Sequence, residues 1–248
     1  MTKNVEKNKQ ETYELIPPKY RFLSGSWLKV IAVLTMLIDH VASVLLKNSG
    51  IVLLNVAGHV FTLYEAMRYV GRLAFPIYAF LLVEGFLHTS NRKKYGINLF
   101  VFALISEIPW NLEHTGKLFY SGQNIFFTLL FGYVALCVIE GFKGKKRVGF
   151  LLILLFVSVI FRADYGCAGL GFILMIYTLR DKKLIQAVIG SCFLSSTWVA
   201  GLAFIPINLY NGKRGFIKGK LMKYAFYAIY PLHMIALYLL KLYFGGGY

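Results

Sequence analysis

Long apolar runs alternate along this chain with short polar stretches, most of them basic. The first run, 27–46, reads WLKVIAVLTMLIDHVASVLL. At about 1.5 Å per residue, a helix of this length crosses the ~30 Å hydrocarbon core of a bilayer. Further runs predict helices over 69–88, with Pro76 as a kink, and over 95–112, 124–139, 148–161, 167–179 and 222–240. The stretch 184–210 is long for one span and short for two. Its Gly190, Ser191, Ser195, Ser196 and Gly201 allow helices to pack closely. Residues 48–64 read as an amphipathic connection holding His59. Residues 1–22 are polar and contain Pro17-Pro18. They predict a disordered cytoplasmic tail, without the apolar core of a signal peptide. The remainder, 23–244, reads as one all-α, polytopic transmembrane helix bundle of eight or nine spans. No internal repeat is evident.

Composition strengthens this picture. The chain is 58% hydrophobic and only 15% charged, which would leave a soluble domain without a water-facing surface. The net charge of +16 sits in short loops between apolar runs, where topology rather than nucleic-acid binding puts it. With the amino terminus inside and 184–210 counted as two short spans, 21 Lys and Arg fall inside and 6 outside. That asymmetry predicts a multi-pass protein of the cell membrane, its amino terminus cytoplasmic and the lipid bilayer its first partner. Cys137, Cys167 and Cys192 lack metal-ligand spacing and read as small core residues, and no metal is expected.

Ionisable residues inside such runs are costly and default to functional candidates. Lys29 and His40 are 11 positions apart. At about 100° per residue they share a helix face, roughly 16 Å apart along the axis. Asp39 is turned about 100° away from His40, so any group that orients His40 must come from another helix. The predicted topology gathers His40, Arg68, Arg72, Glu107, Asn111, Asn124, Arg162 and Asp164 in the outer half of the bundle. Lys29, Glu84, His88 and the basic loops mark the inner side. Ion pairs that merely join helices, Arg72 with Glu107 or Arg162 with Asp164, are the competing reading. His233, taken singly, reads as a hydrogen-bonded core residue, and His88 and His114 as membrane-edge residues.

Seven blocks together resemble the TraX family: LKVIAVLTMLIDH (28–40), RYVGRLAFPIYAFLLVEGFLHTSN (68–91), LISEIPWNL (104–112), NIFFTLLFG (124–132), ADYGCAGL (163–170), LYNGKRG (209–215) and FYAIYPLH (226–233). That family is named for a membrane protein that acetylates conjugative pilin. It is distantly similar to the acyltransferase-3 group, whose first catalytic helix carries a basic residue, ten intervening residues and a histidine. Lys29 and His40 match that spacing. The resemblance implies acyl transfer from acetyl-coenzyme A to a peptide, glycan or lipid-linked acceptor on the outer side.

Such a transfer needs a base and donors for the thioester oxyanion. His40 is the candidate base, with Glu107 or Asp164 orienting its other nitrogen. Arg68, Arg72 or Asn124 are candidates for the oxyanion or acceptor, and Lys29 for the coenzyme A phosphates. Asp39, Glu84, Arg162 and His233 stand as structural or unassigned. Two rival readings are a proton-relay transporter and a non-catalytic membrane component of a secretion or conjugation apparatus.

Overall fold

The computed structural model describes residues 15–56, 59–193 and 195–244. Helix α1 (Gly25–Val41) continues through a π-helical turn, Ala42–Leu46. A two-stranded antiparallel hairpin follows, β1 (Val52–Val56) and β2 (His59–Thr62), with an irregularity between Val52 and Leu54. Then come α2 (Leu63–Gly71), α3 (Ala74–His88), α4 (Arg92–Thr115), α5 (Ile125–Gly141), α6 (Gly144–Ile160), α7 (Gly166–Thr178) and α8 (Lys183–Phe193). A 3-10 segment, Ser195–Ala203, leads into the short α9 (Phe204–Asn208), and α10 (Gly219–Tyr243) ends the bundle.

The fold is all-α apart from the hairpin, which replaces the amphipathic connection expected over 48–64. Of the expected tail, residues 1–14 lie outside the described residues; Pro18–Tyr20 forms a 3-10 turn. Among the described residues three elements are long and apolar enough to cross a membrane unaided: Gly25–Leu46, Leu63–His88 and Gly219–Tyr243. The shorter apolar helices Ile125–Gly141, Gly166–Thr178, Lys183–Phe193 and Val199–Asn208 depend on their neighbours.

The core centres on α3 rather than on α1. Phe75, Ile77, Phe80, Val83 and Phe86 are all buried, so most of α3 is enclosed, and Tyr78, Leu81 and Glu84 are left partly open. The break between α2 and α3 falls at Arg72 and Leu73, one turn before Pro76. Pro76 lies in the first turn of α3, where its missing N–H is no loss and its ring blocks continuation from the preceding turn. The expected kink is therefore a full helix end.

Two local devices fix the ends that matter. At one end of the bundle, the first backbone N–H groups of α1 have partners outside the helix: Gly25 N–H donates to Lys213 O (2.8 Å) and Ser26 N–H to Arg214 O (2.9 Å). The Ser26 hydroxyl donates to Arg214 O (2.8 Å) and accepts from Ile217 N–H (2.7 Å). Loop 211–217 is thus pinned to the start of α1. At the opposite end, a capping box starts α2: Thr62 Oγ1 accepts from Glu65 N–H, and Glu65 Oε2 accepts from Thr62 N–H.

Candidate functional site

A polar cluster, the recess, gathers the end of α1, α2, the end of α4, the turn 162–165 and the middle of α10. His40 on α1 and His233 on α10 meet at its centre. His40 Nδ1 is 2.6 Å from His233 Nε2, with the ring planes 9° apart. Nitrogens this close in near-parallel rings require an edge-to-edge hydrogen bond rather than a face-to-face stack. His233 Nδ1 is 2.8 Å from the backbone oxygen of Ile229. A carbonyl can only accept, so the partners assign the hydrogen to His233 Nδ1 and leave its Nε2 as acceptor. That acceptor draws the His40 hydrogen to Nδ1. The lone pair of neutral His40 then sits on Nε2, the nitrogen a general base needs.

The expectation that the group orienting His40 comes from another helix holds, but that group is a histidine. Neither Glu107 nor Asp164 takes His40 Nδ1. Glu107 is joined to Asn124, whose Nδ2 donates to Glu107 Oε2 (2.6 Å) and to Ala103 O (2.9 Å). Asn124 Oδ1 accepts from Phe126 N–H (3.0 Å) and caps α5. Fully buried, with its amide hydrogens spent on α4, Asn124 has no donor left for an oxyanion and serves to join the two helices.

Asp39 points away from His40, as its position on the helix requires. Its Oδ2 accepts from Arg68 Nη1 (2.7 Å), tying α1 to α2. Gly71 packs directly on the Asp39 carboxylate, where a Cβ would collide with it. Arg72 lies within electrostatic reach of Tyr165 and Asp164 rather than pairing with Glu107. Arg162 does not pair with Asp164: it adopts a left-handed φ of 49° and its guanidinium donates to Ser121 Oγ (2.8 Å). Both expected helix-joining pairs are thus replaced, and Arg162 is a turn residue.

Asp164 stands exposed in the turn outside the helices, with His114 and Arg72 in electrostatic reach. Glu113, buried and 2.5 Å from the His114 ring, completes the recess. Among the described residues no cluster of three or more His, Cys, Asp or Glu has the arrangement of a metal site.

Toward the end of the bundle where α1 begins, a cavity of about 510 Å³ opens between α1, α3, α4, α5 and α10. Lys29, Arg214 and Lys223 stand at its basic mouth with Glu84 and His88, and Tyr78, Tyr95, Leu99 and Phe126 line its shaft. Lys29 lies within electrostatic reach of Arg214 and Lys223, three cations drawn together. Glu84 accepts a hydrogen bond from Tyr210 and sits 3.8 Å from His88. Met36, one turn before His40, and Tyr230, one turn before His233, are also in the lining. The Tyr230 ring meets His40 edge-on at 6.2 Å and His233 at 5.5 Å. Lys29 thus lines the cavity and His40 the recess, and Tyr230 touches both.

The family model described as "TraX protein" matches residues 24–241. The chain belongs to the TraX family. It is also similar to "Probable fimbrial assembly protein FimC, serogroup H1" of Dichelobacter nodosus, 29% identical over 246 residues, covering 86% of this chain and 94% of that protein. No solved structure matches. The TraX match takes in every residue of the recess and of the cavity, so both belong to the part of the chain the family shares. Four residues that sequence reasoning left aside are Glu113, Tyr230, Arg214 and Lys223. Tyr230 had a readable signal, because it precedes His233 by three positions and so shares its face. Arg214 had none, since it reaches the cavity only through the clasp on α1.

Proposed function

We propose that this TraX protein is a membrane component of a pilus or fimbrial assembly system, and that it acts there as an acyltransferase. The family and the name of the Dichelobacter nodosus relative support the assembly role. One observation carries the chemistry: a histidine whose tautomer is fixed by a second histidine, beside a cavity with a basic mouth. The cavity lies within the range usual for small-molecule sites, ~300–1,000 Å³. Its cations suit the phosphates of acetyl-coenzyme A, and its apolar shaft suits the extended arm that carries the thioester.

In this reading the multi-pass chain keeps its amino terminus in the cytoplasm, with the basic mouth on the same side. The acceptor, an amine or hydroxyl on the outer side, enters the recess. His40 Nε2 takes its proton as the nucleophile attacks the thioester carbon. The carbon–sulfur bond then breaks, and the thiolate leaves with the proton returned from His40.

A second reading, a non-catalytic assembly component, is favoured by the Asp39–Arg68 pair, which joins helices without any chemistry. Release of free coenzyme A from acetyl-coenzyme A by the purified protein, supplied with amine and hydroxyl acceptors, separates the two. His40→Ala is expected to remain folded and to lose ~10²- to 10⁴-fold in rate. Undiminished release by that variant would leave the assembly role alone standing.

A further inference from the structure

Tyr230 occupies the one place where the two compartments of the proposed reaction touch. It is 6% exposed, lines the cavity, and packs its ring edge-on against both His40 and His233. Phe126 holds its other side at 5.3 Å, nearly perpendicular. The ring is therefore fixed on three sides, and its hydroxyl has a set position.

That position is close to the start of α5. The backbone N–H of Ile125 lies beside the Tyr230 oxygen. Ile125 is the first residue of α5, so its N–H is one of the four that a helix leaves without an internal partner. Asn124 Oδ1 takes the N–H of Phe126, and the Asn124 carbonyl takes that of Phe127. The Ile125 N–H is left for the phenol. A phenol oxygen that accepts from a helix N-terminus keeps its own hydrogen to donate, and accepting strengthens that donation.

Of the three polar groups first expected to hold the acyl oxygen, Asn124 is committed to α4 and Arg68 to Asp39, while Arg72 lies toward Tyr165 and Asp164. A transition state of acyl transfer nevertheless needs a donor aimed at the oxygen on which charge develops. We propose that the hydroxyl of Tyr230, whose ring is set in the cavity wall by His40, His233 and Phe126, donates to the carbonyl oxygen of the acyl thioester and stabilises the oxyanion formed there.

This inference rests on the acyltransfer reading above and adds a second catalytic residue to it. As the acceptor attacks, its proton passes to His40 Nε2 and the carbonyl electron pair moves onto oxygen. Tyr230 hydrogen-bonds that oxygen without giving up its proton. When the oxygen pair returns, the carbon–sulfur bond breaks, and the leaving sulfur takes the proton from His40. Tyr230 ends as it began.

The test needs no knowledge of the acceptor. Two stable coenzyme A thioethers differ only in the group at issue: S-acetonyl-coenzyme A keeps a carbonyl near the thioester position, and S-propyl-coenzyme A has a methylene there. Binding of both is measured to the full-length protein and to Tyr230→Phe in detergent. The variant keeps the ring, and with it the contacts to Phe126, His40 and His233.

Tyr230→Phe is expected to weaken the acetonyl compound about tenfold, the worth of one hydrogen bond, and to leave the propyl compound unchanged. Acetyl-coenzyme A turnover should fall ~10²- to 10³-fold with its KM little altered. Equal loss of both thioethers, or no loss of either, overturns the role of Tyr230 while leaving His40 in place. Failure of the wild type to bind either thioether overturns the donor site, and this inference with it.

Discussion

His40 and His233 form a pair in which each ring settles the state of the other. The Ile229 carbonyl fixes His233, and His233 fixes His40. His233 is a positioning residue, and its removal should act on the rate rather than on donor binding. His233→Ala leaves the His40 Nδ1 hydrogen without an acceptor and frees the ring to move that hydrogen to Nε2. We expect kcat to fall ~10- to 100-fold, the usual cost of losing a group that orients a functional histidine. The dissociation constant for acetyl-coenzyme A should hold. His233→Gln offers a side-chain oxygen to the same hydrogen and should recover part of the rate. A kinetic series in which Ala and Gln lose activity in parallel with their melting temperatures would mark the pair as packing only.

At the scale of the elements, the contact between α1 and α2 depends on Gly71. The Asp39 carboxylate is held by Arg68 and cannot swing aside, so a methyl at position 71 meets it directly. Gly71→Ala should cost ~1–3 kcal/mol, as overpacking does in a filled interior. Gly149→Ala on α6, where a Cβ meets nothing within 4 Å, is the neutral control. Thermal unfolding in detergent compares them, and equal melting temperatures would show that α2 can shift away from α1.

The helices themselves were legible, because apolar runs of this length have no other use in the chain. The hairpin was not, since Val52–Val56 and His59–Thr62 are too short for alternation to outweigh an amphipathic reading. Nor was the α2–α3 break, because hydrophobicity runs across it undiminished. In the candidate site, periodicity put Lys29 and His40 on one face and turned Asp39 off it, as observed. It could not name the partner of His40, because a helical face says where a residue points and nothing about which helix lies opposite. Asn124 was misjudged for a related reason: an asparagine before an apolar run reads equally as a donor or as a helix cap, and here it caps α5.

For the whole molecule, the basic asymmetry sets the prediction. Lys117, in the connection between α4 and α5, should lie outside, and Lys145, at the start of α6, inside. In a protein lacking Cys137, Cys167 and Cys192, an impermeant thiol reagent added to intact cells should label Lys117→Cys and spare Lys145→Cys. The reverse pattern would put the recess and the basic mouth on the opposite sides from those proposed. The division into two compartments would survive it, because it rests on the packing of α1, α3 and α10 and not on which face meets the cytoplasm.

The histidine pair also bears on how the protein is made. Its two members are 193 residues apart, on the first long helix and the last. At ~5–20 residues per second, a ribosome needs roughly 10–40 s to deliver His233 after His40 has left the exit tunnel. The partner of Asp39 arrives only 29 residues later. The carboxylate on α1 is therefore neutralised almost at once, and the nascent first helices hold no unpaired acid in the bilayer while they wait. His40, by contrast, has no fixed tautomer until the final helix inserts, so a chain stopped short of α10 would lack the positioned base of the proposed reaction.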